Sequence, residues 1–503
     1  MYRITKADRD TYITDKIVKG TRKVSSNVGS AATLDLFKLY GTTYSGSVAN
    51  VEKSRILIHF DLDPLRELVQ SKKIDYASPG FWCKINLKDV YGGQPTPTNF
   101  TVSVFPLSSS FEEGIGKDVV FFSDRDICNW VTASLGSNWF ITGCSKPCDA
   151  QLGGGDYVTS SLSLANAEIQ QYFKTGEEDL LVDVTSVISA TLAGEIPDAG
   201  FRISFEDSNE NNNKSYFVKR FGSSVVYDES KRPRLIYGFN DSIVDDSQNL
   251  IFDKNCNLLL RNYSAGELSN ILSGSSLTQV TGSNSLLLKL STSAVSGGYS
   301  LYFTGSQFSY SGSTTAYVDG TYQASVLINS YNANISNILL TSSSIDFTPI
   351  WTSLDGTIAY STGSIVTFNK SSRSPSLVLK NYVVNVLGVK DSYKSNDTAL
   401  VRVTIFDQTS PLISVVKVPI ELPGLVVNDV FYEIRDAITN EVIIPHDAPK
   451  NATRVSADDK GMYFEFDPSS LLVNHSYSID IIIDSNGKKT RYENASQVFK
   501  IES

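Results

Sequence analysis

Apolar residues in this chain alternate with polar ones in short runs, and Gly, Pro, Asn or Ser breaks each run before a long helix can form. Phe100-Thr101-Val102-Ser103-Val104-Phe105 and Phe201-Arg202-Ile203-Ser204-Phe205 place every second side chain on one face, as a half-buried strand does. Many short strands separated by turns predict an all-β chain built as sandwiches or jelly rolls. The composition agrees: 19% charged residues is below the roughly 25% of average globular chains, with the polar bulk supplied by Ser, Thr and Asn. Two short helices are expected, at Pro64–Val69, where Pro opens a run with Leu65, Leu68 and Val69 at helical spacing, and at Asp126–Ser134.

At about 100–200 residues per domain, 503 residues suggest three or four domains. Composition shifts divide the chain into three. Residues 1–240 read as a jelly roll in which a segment of about 79–176 is inserted, with Lys53–Leu62 as a strand whose Ile56, Ile58 and Phe60 share a face. An acidic stretch from Asn240 to Asp253 reads as a hinge. Residues 241–387 are rich in Ser, Thr and Gly but carry strands at Ser285–Leu290, Tyr299–Phe303 and Gln323–Ile328, so a second β-sandwich is expected there. Residues 388–503 carry strands at Ala399–Phe406, Val430–Ile434, Met462–Phe466 and Tyr477–Ile483. The turn Asp484-Ser485-Asn486-Gly487 then leads to a last strand at Gln497–Ile501. That spacing suits an immunoglobulin-like sandwich without the Cys…Trp…Cys pattern.

The net charge of −10 argues against a nucleic-acid binder, which needs a clustered basic face to displace counterions. Met1–Asp10 has no apolar core for a signal peptide, and no apolar run reaches the 18 or so residues of a membrane-spanning helix. Synthesis in a reducing cytoplasm, without secretory export or membrane insertion, is the expectation. Five scattered cysteines do not make a disulfide scaffold.

Candidates for chemistry are few. His59, His446 and His475 are isolated in sequence, and His59, at the parity opposite Ile58 and Phe60, reads as an exposed strand position. Cys144 and Cys148, with Cys128 upstream, have the spacing of a partial zinc site. The expectation is instead two thiols in a surface loop, bridged or not. Gly153-Gly154-Gly155-Asp156 lacks the strand–glycine–helix setting of a phosphate cradle and reads as a flexible loop. Glu112-Glu113 and Glu177-Glu178-Asp179 read as solvated loop charge rather than glycosidase pairs, and Asp245-Asp246 lacks the spaced loop of a calcium site. Most of the 25 Tyr, 25 Phe and four Trp (Trp82, Trp130, Trp139, Trp351) are expected in cores and interfaces rather than as sugar platforms. No catalytic, cofactor-binding or metal residue is assigned, and an enzyme is not expected.

Asp10-Thr11-Tyr12-Ile13, Asn27-Val28-Gly29, the arginine strand Arg55–Leu62 with its Phe-Asp-Leu, Asp183-Val184-Thr185, Gly200-Phe201-Arg202-Ile203, Phe221-Gly222-Ser223-Ser224 and Arg232-Pro233-Arg234-Leu235 occur in that order. Together they resemble the jelly-roll modules called DNRLRE domains. That resemblance implies a spacer or carbohydrate-binding-like unit with no shared catalytic residues. The whole chain is similar in style to virion structural proteins of tailed bacteriophages: acidic, Ser/Thr/Asn-rich, with sandwiches in series. That likeness implies a non-enzymatic component of the tail, baseplate, fibre attachment or neck, assembled in the host cytoplasm with other virion proteins and symmetry-related copies of itself. The alternatives are an adhesin or receptor-binding fibre that takes a host surface glycan, and a capsid decoration protein.

Overall fold

The computed structural model describes residues 1–42, 49–91, 93, 95–123, 127–310, 316–371, 381–407, 425–458, 460–485 and 488–502. It is nearly all β, with 45% strand and 7% helix, arranged as consecutive β-sandwiches. Contacts divide the chain into two compact units: Arg3–Glu67 with Phe81–Gly238, and Met1–Tyr2, Leu68–Gly80 and Phe239–Ser503.

The first unit is a ten-stranded sheet of β1 (Tyr2–Thr14), β2 (Thr33–Thr42), β3 (Ala49–Phe60), β4 (Trp82–Leu87), β5 (Phe100–Pro106), β6 (Ile169–Phe173), β7 (Leu180–Asp183), β8 (Phe201–Phe205), β9 (Tyr216–Gly222) and β10 (Arg234–Gly238). Its main path runs β6-β5-β8-β3-β1-β10-β4-β7, while β2 joins β3 to β9. The path nearly closes on itself. Gln171 in β6 accepts from the Leu181 amide of β7 at 2.7 Å and donates to the Asp179 carbonyl at 2.7 Å, so the two end strands meet through one amide side chain. Closure of this kind removes free sheet edges. Helix α1 (Asp63–Gln70) forms where Pro64 predicts it, burying Leu65 and Leu68.

Within Pro79–Gly176, the strands β4, β5 and β6 belong to the sheet, and the segment that leaves it runs from Leu107 to Ala167. That segment packs across the outer face of the sheet. Ile13, Leu57 and Ala199 form one apolar cluster with its Phe111, Cys128, Trp130, Trp139 and Cys144. Asn27 fastens it. Its Nδ2 donates to the carbonyls of Glu113 at 2.7 Å and Cys128 at 2.8 Å, and its Oδ1 accepts from Gly116 at 2.7 Å and Gly29 at 3.2 Å. The helix expected at Asp126–Ser134 does not form. Asp126 lies outside the described residues, Thr132–Ser134 is a short strand, and Asn129 Oδ1 accepts from the amides of Val131 and Thr132. An Asn that bonds forward to the backbone stabilises a turn in competition with helix.

In the second unit, β11 (Leu250–Ile251), β12 (Cys256–Arg261), β13 (Leu286–Thr292), β14 (Tyr299–Gln307), β15 (Thr321–Val326), β16 (Ser344–Thr352), β17 (Ala359–Thr362) and β18 (Val366–Asn369) form an eight-stranded sheet. Its path is β11-β18-β16-β13-β14-β15-β12. Leu286, Leu288 and Leu290 are fully buried at period two along β13, beside Tyr322 and Trp351. Each such side chain contributes about 1.5–3 kcal/mol, so Ser/Thr-rich composition does not prevent a core here.

The C-terminal part has two sheets. One is β19 (Tyr382–Leu387), β21 (Ala399–Asp407), β25 (Gly461–Phe466) and β24 (Ser456–Asp458). The other comprises β20 (Ser392–Lys394), β22 (Val430–Asp436), β23 (Val442–Ile444), β26 (Ser476–Ser485), β27 (Lys488–Tyr492) and β28 (Phe499–Glu502). The aromatics between them interlock: Tyr432 stacks on Phe464 with centroids 4.2 Å apart, and Phe466 meets Tyr393 and Phe499. Asn486 and Gly487 of the expected turn lie outside the described residues. The strand that follows is β27, and the final strand begins at Phe499.

The acidic stretch read as a hinge is pinned. Val244 bridges Ala457 of β24, and the buried Asp246 accepts from the Asn257 amide at 2.8 Å.

Candidate functional site

His59 is not exposed. It is 7% accessible: β3 lies inside the sheet between β1 and β8, and the ring sits between Asp8 and Asp198. Nδ1 of His59 lies 2.6 Å from Asp8 Oδ1, and Nε2 lies 3.4 Å from Asp198 Oδ1. Burial opposes the imidazolium, but these two carboxylates outweigh it and raise the histidine to about 9. The other two histidines are also paired, His446 with Glu433 at 3.3 Å and His475 with Asp436 at 3.0 Å.

Four residues earlier on the same strand, Arg55 is 6% accessible and forms a fork with Glu210, at 3.1 Å from Nε to Oε1 and 2.7 Å from Nη2 to Oε2. It also donates to the Gly143 carbonyl and lies 5.4 Å from the Trp130 ring. Glu210 pays a burial penalty that Arg55 overcomes, so its carboxyl falls to about 2. Arg202 of β8 is 4% accessible beside it, donates to Ser204 at 3.0 Å and stacks on Tyr157 at 4.5 Å. Arg55 and Arg202 also reach the covering segment, through Gly143, Trp130 and Tyr157.

The expected surface loop of Cys144 and Cys148 is also buried, at 0% and 9% accessibility. Neither thiol is bridged; Cys144 Sγ lies 3.9 Å from the Asp156 carbonyl and Cys148 Sγ lies 3.3 Å from the Tyr157 carbonyl. Burial pushes Cys144 to about 12. The physical reason is that the loop folds under itself. Asp156, 1% accessible, accepts from the amides of Phe140 at 2.7 Å, Ile141 at 3.2 Å and Lys146 at 2.8 Å, so the glycine loop is anchored at its Asp156 end while Gly153 and Gly154 stay exposed. Among the described residues, no three His, Cys, Asp or Glu side chains gather as metal ligands would, Cys128 and Asp245-Asp246 included.

The paired carboxylates hold backbone instead of facing a cleft. Glu112 accepts from Leu135, Glu113 from Asp10, and Glu178 from Lys174, Thr175 and Gly176. Against partial burial, those amides lower Glu178 to about 2. Of the tryptophans, Trp130, Trp139 and Trp351 are buried and Trp82 is half-buried.

Sequence reasoning missed a cleft in the second unit. Its volume is about 310 Å³, and its walls include Arg261, Tyr263, Tyr310, Arg402, Asp458 and Tyr463. A neighbouring hollow of about 450 Å³ shares Arg261, Tyr263, Arg402 and Asp458 and adds Lys460. Arg402 is clamped by Asp458 through two bonds of 2.6 and 2.9 Å and lies 5.0 Å from the Tyr463 ring. Arg261 donates to the Tyr463 hydroxyl at 3.2 Å. The one available sequence signal was Arg402, a charge inside the apolar alternation Ala399–Val403; its neighbours come from strands 56 and 61 residues away, as Arg402 pairs with Tyr463 and binds Asp458.

No family model matches the chain, and no curated protein matches it. Among solved structures, the chain is similar to one described as three N-terminal domains of the bacteriophage RB49 Highly Immunogenic Outer Capsid protein (Hoc), at 10% identity and a TM-score of 0.14. The match covers 50% of this chain and 66% of that one, just under two thirds of its length. A TM-score this low does not define a shared fold.

Proposed function

We propose that this chain is a non-enzymatic structural component of a tailed phage particle, acting by protein–protein assembly in the tail, baseplate, fibre-attachment or neck region. The observation that carries this reading is the surface of the Leu107–Ala167 segment. Among the described residues, thirty large apolar side chains are exposed, and nine of them fall between Ile115 and Leu162. Phe121 is 83% accessible, Leu152 87%, Ile115 79% and Leu162 77%. Scattered exposed apolar residues need no explanation, but a concentration in one short segment marks an interaction surface. The same segment is clamped from beneath by Asn27 and Arg55 and tied internally by Asp156, which supports those side chains on an anchored backbone. Sandwiches in series and symmetric copies multiply weak contacts through effective concentration.

The finer parts of this proposal are a DNRLRE-like spacer at the N-terminus, partners that are other virion proteins and copies of the chain, and residence in the virion after cytoplasmic assembly. Mass spectrometry of gradient-purified particles tests it. The chain is expected at a fixed copy number relative to the major capsid protein; its absence from particles, despite expression in infected cells, overturns the proposal.

A further inference from the structure

The geometry points to the cleft of the second unit as a binding site for an acidic saccharide, a sugar bearing a carboxylate or phosphate. The argument rests on Arg261. Its guanidinium is half-buried at the end of β12, and among the described residues it forms no ion pair with a carboxylate. Of its five N–H donors, the bond to the Tyr463 hydroxyl uses one. Arg402, by contrast, has Asp458 on both arms, and that fork fixes the Tyr463 ring from its face. Tyr463 in turn fixes Arg261. Arg454, a third guanidinium in the lining, has Asp429 at 3.5 Å. Among the described residues, Arg261 is therefore the cleft guanidinium without a carboxylate partner, positioned by Arg402, which is neutralised.

A planar guanidinium in a fixed position matches the two oxygens of a carboxylate or phosphate. The rest of the cleft suits a sugar ring. Tyr263 is 58% accessible at its rim and offers an aromatic face, and Tyr310 lines the wall. A volume of about 310 Å³ is at the small end of ligand pockets, right for one or two sugar residues. Acidic neighbours Asp241, Asp458 and Glu465 set the limit on charge, since a ligand with several anionic groups would meet them. This site is independent of the assembly reading: a chain absent from particles that still binds acidic sugars would sink that reading and leave this one standing.

The test is isothermal titration of the full chain with trigalacturonate, glucose 6-phosphate and neutral maltotriose. The site predicts binding of at least one anionic probe at least 10-fold tighter than maltotriose, and the stronger of the two identifies the source of the anion. Arg261→Ala should weaken that binding at least 10-fold, and Arg261→Lys should restore part of it. Tyr263→Ala, at an exposed position that the fold does not need, should weaken it as well. No binding of either anionic probe up to 10-fold tighter than maltotriose, or unchanged binding in a folded Arg261→Ala protein, overturns the inference; if Arg261→Ala fails to fold, unchanged binding in Tyr263→Ala does so.

Discussion

Replacing His59 with Gln should remove a pH-dependent part of the stability of the first unit. A group whose folded pKa lies above its unfolded value stabilises fully below the unfolded value and loses that contribution as pH rises through the folded one. For His59 the limits are 6.5 and about 9. The difference of about 2.5 units corresponds to roughly 3.4 kcal/mol at 1.36 kcal/mol per unit. Asp8 is 39% exposed, so solvent screens part of its share, and about 2 kcal/mol is the expected net value. Asp10, raised by burial to about 7, titrates in an overlapping range, so the comparison must be between wild type and His59→Gln at each pH. At pH 6 the variant should lose about 2 kcal/mol in urea unfolding followed by the fluorescence of Trp130 and Trp139. At pH 10 the two proteins should differ by less than about 0.5 kcal/mol. Carbon-labelled histidine NMR reads the same quantity directly, since only three histidines are present. Equal destabilisation at pH 6 and pH 10, or a His59 pKa at or below 6.5, refutes the reasoning.

Glu210→Gln leaves the buried Arg55 without its charge partner and should cost about 3–5 kcal/mol, seen as a lower thermal midpoint of the first unit. Gly143 has φ +79°, and an added Cβ would lie 2.5 Å from the Trp130 ring, so Gly143→Ala should destabilise by more than about 2 kcal/mol and increase proteolysis within Leu107–Ala167. All five cysteines are buried, so a thiol reagent at pH 8 should label the native protein slowly and label five thiols per chain once urea unfolds it. Replacing the exposed Phe121 and Leu152 together with Ser should change stability by less than about 0.5 kcal/mol, yet reduce incorporation into particles.

Much of the architecture is legible in the sequence because period-two patterning is a local property. The strands at Phe100–Pro106, Phe201–Phe205, Leu286–Thr292 and Ala399–Asp407 coincide with their apolar alternation, and Pro64 marks α1. What lay beyond reach was which face of a strand would be covered. His59 alternates out of the inner core, but the Leu107–Ala167 segment packs on Arg55 and Leu57 of its face, and Asp8 and Asp198 flank its ring. The same holds for Cys144 and Cys148, whose burial depends on Asp156 gathering three amides from Phe140 to Lys146. The Arg261 cleft requires side chains separated by about 200 residues, and no local spacing encodes that.

The most direct test of the central claim is a cryo-electron microscopy map of intact particles from the culture in which this chain is made. The account predicts density that fits consecutive β-sandwiches at a defined position, with Phe121, Phe140 and Leu152 covered by a neighbouring protein or a symmetry-related copy. A particle in which the chain is bound but these side chains face solvent, or one that lacks the chain, contradicts it.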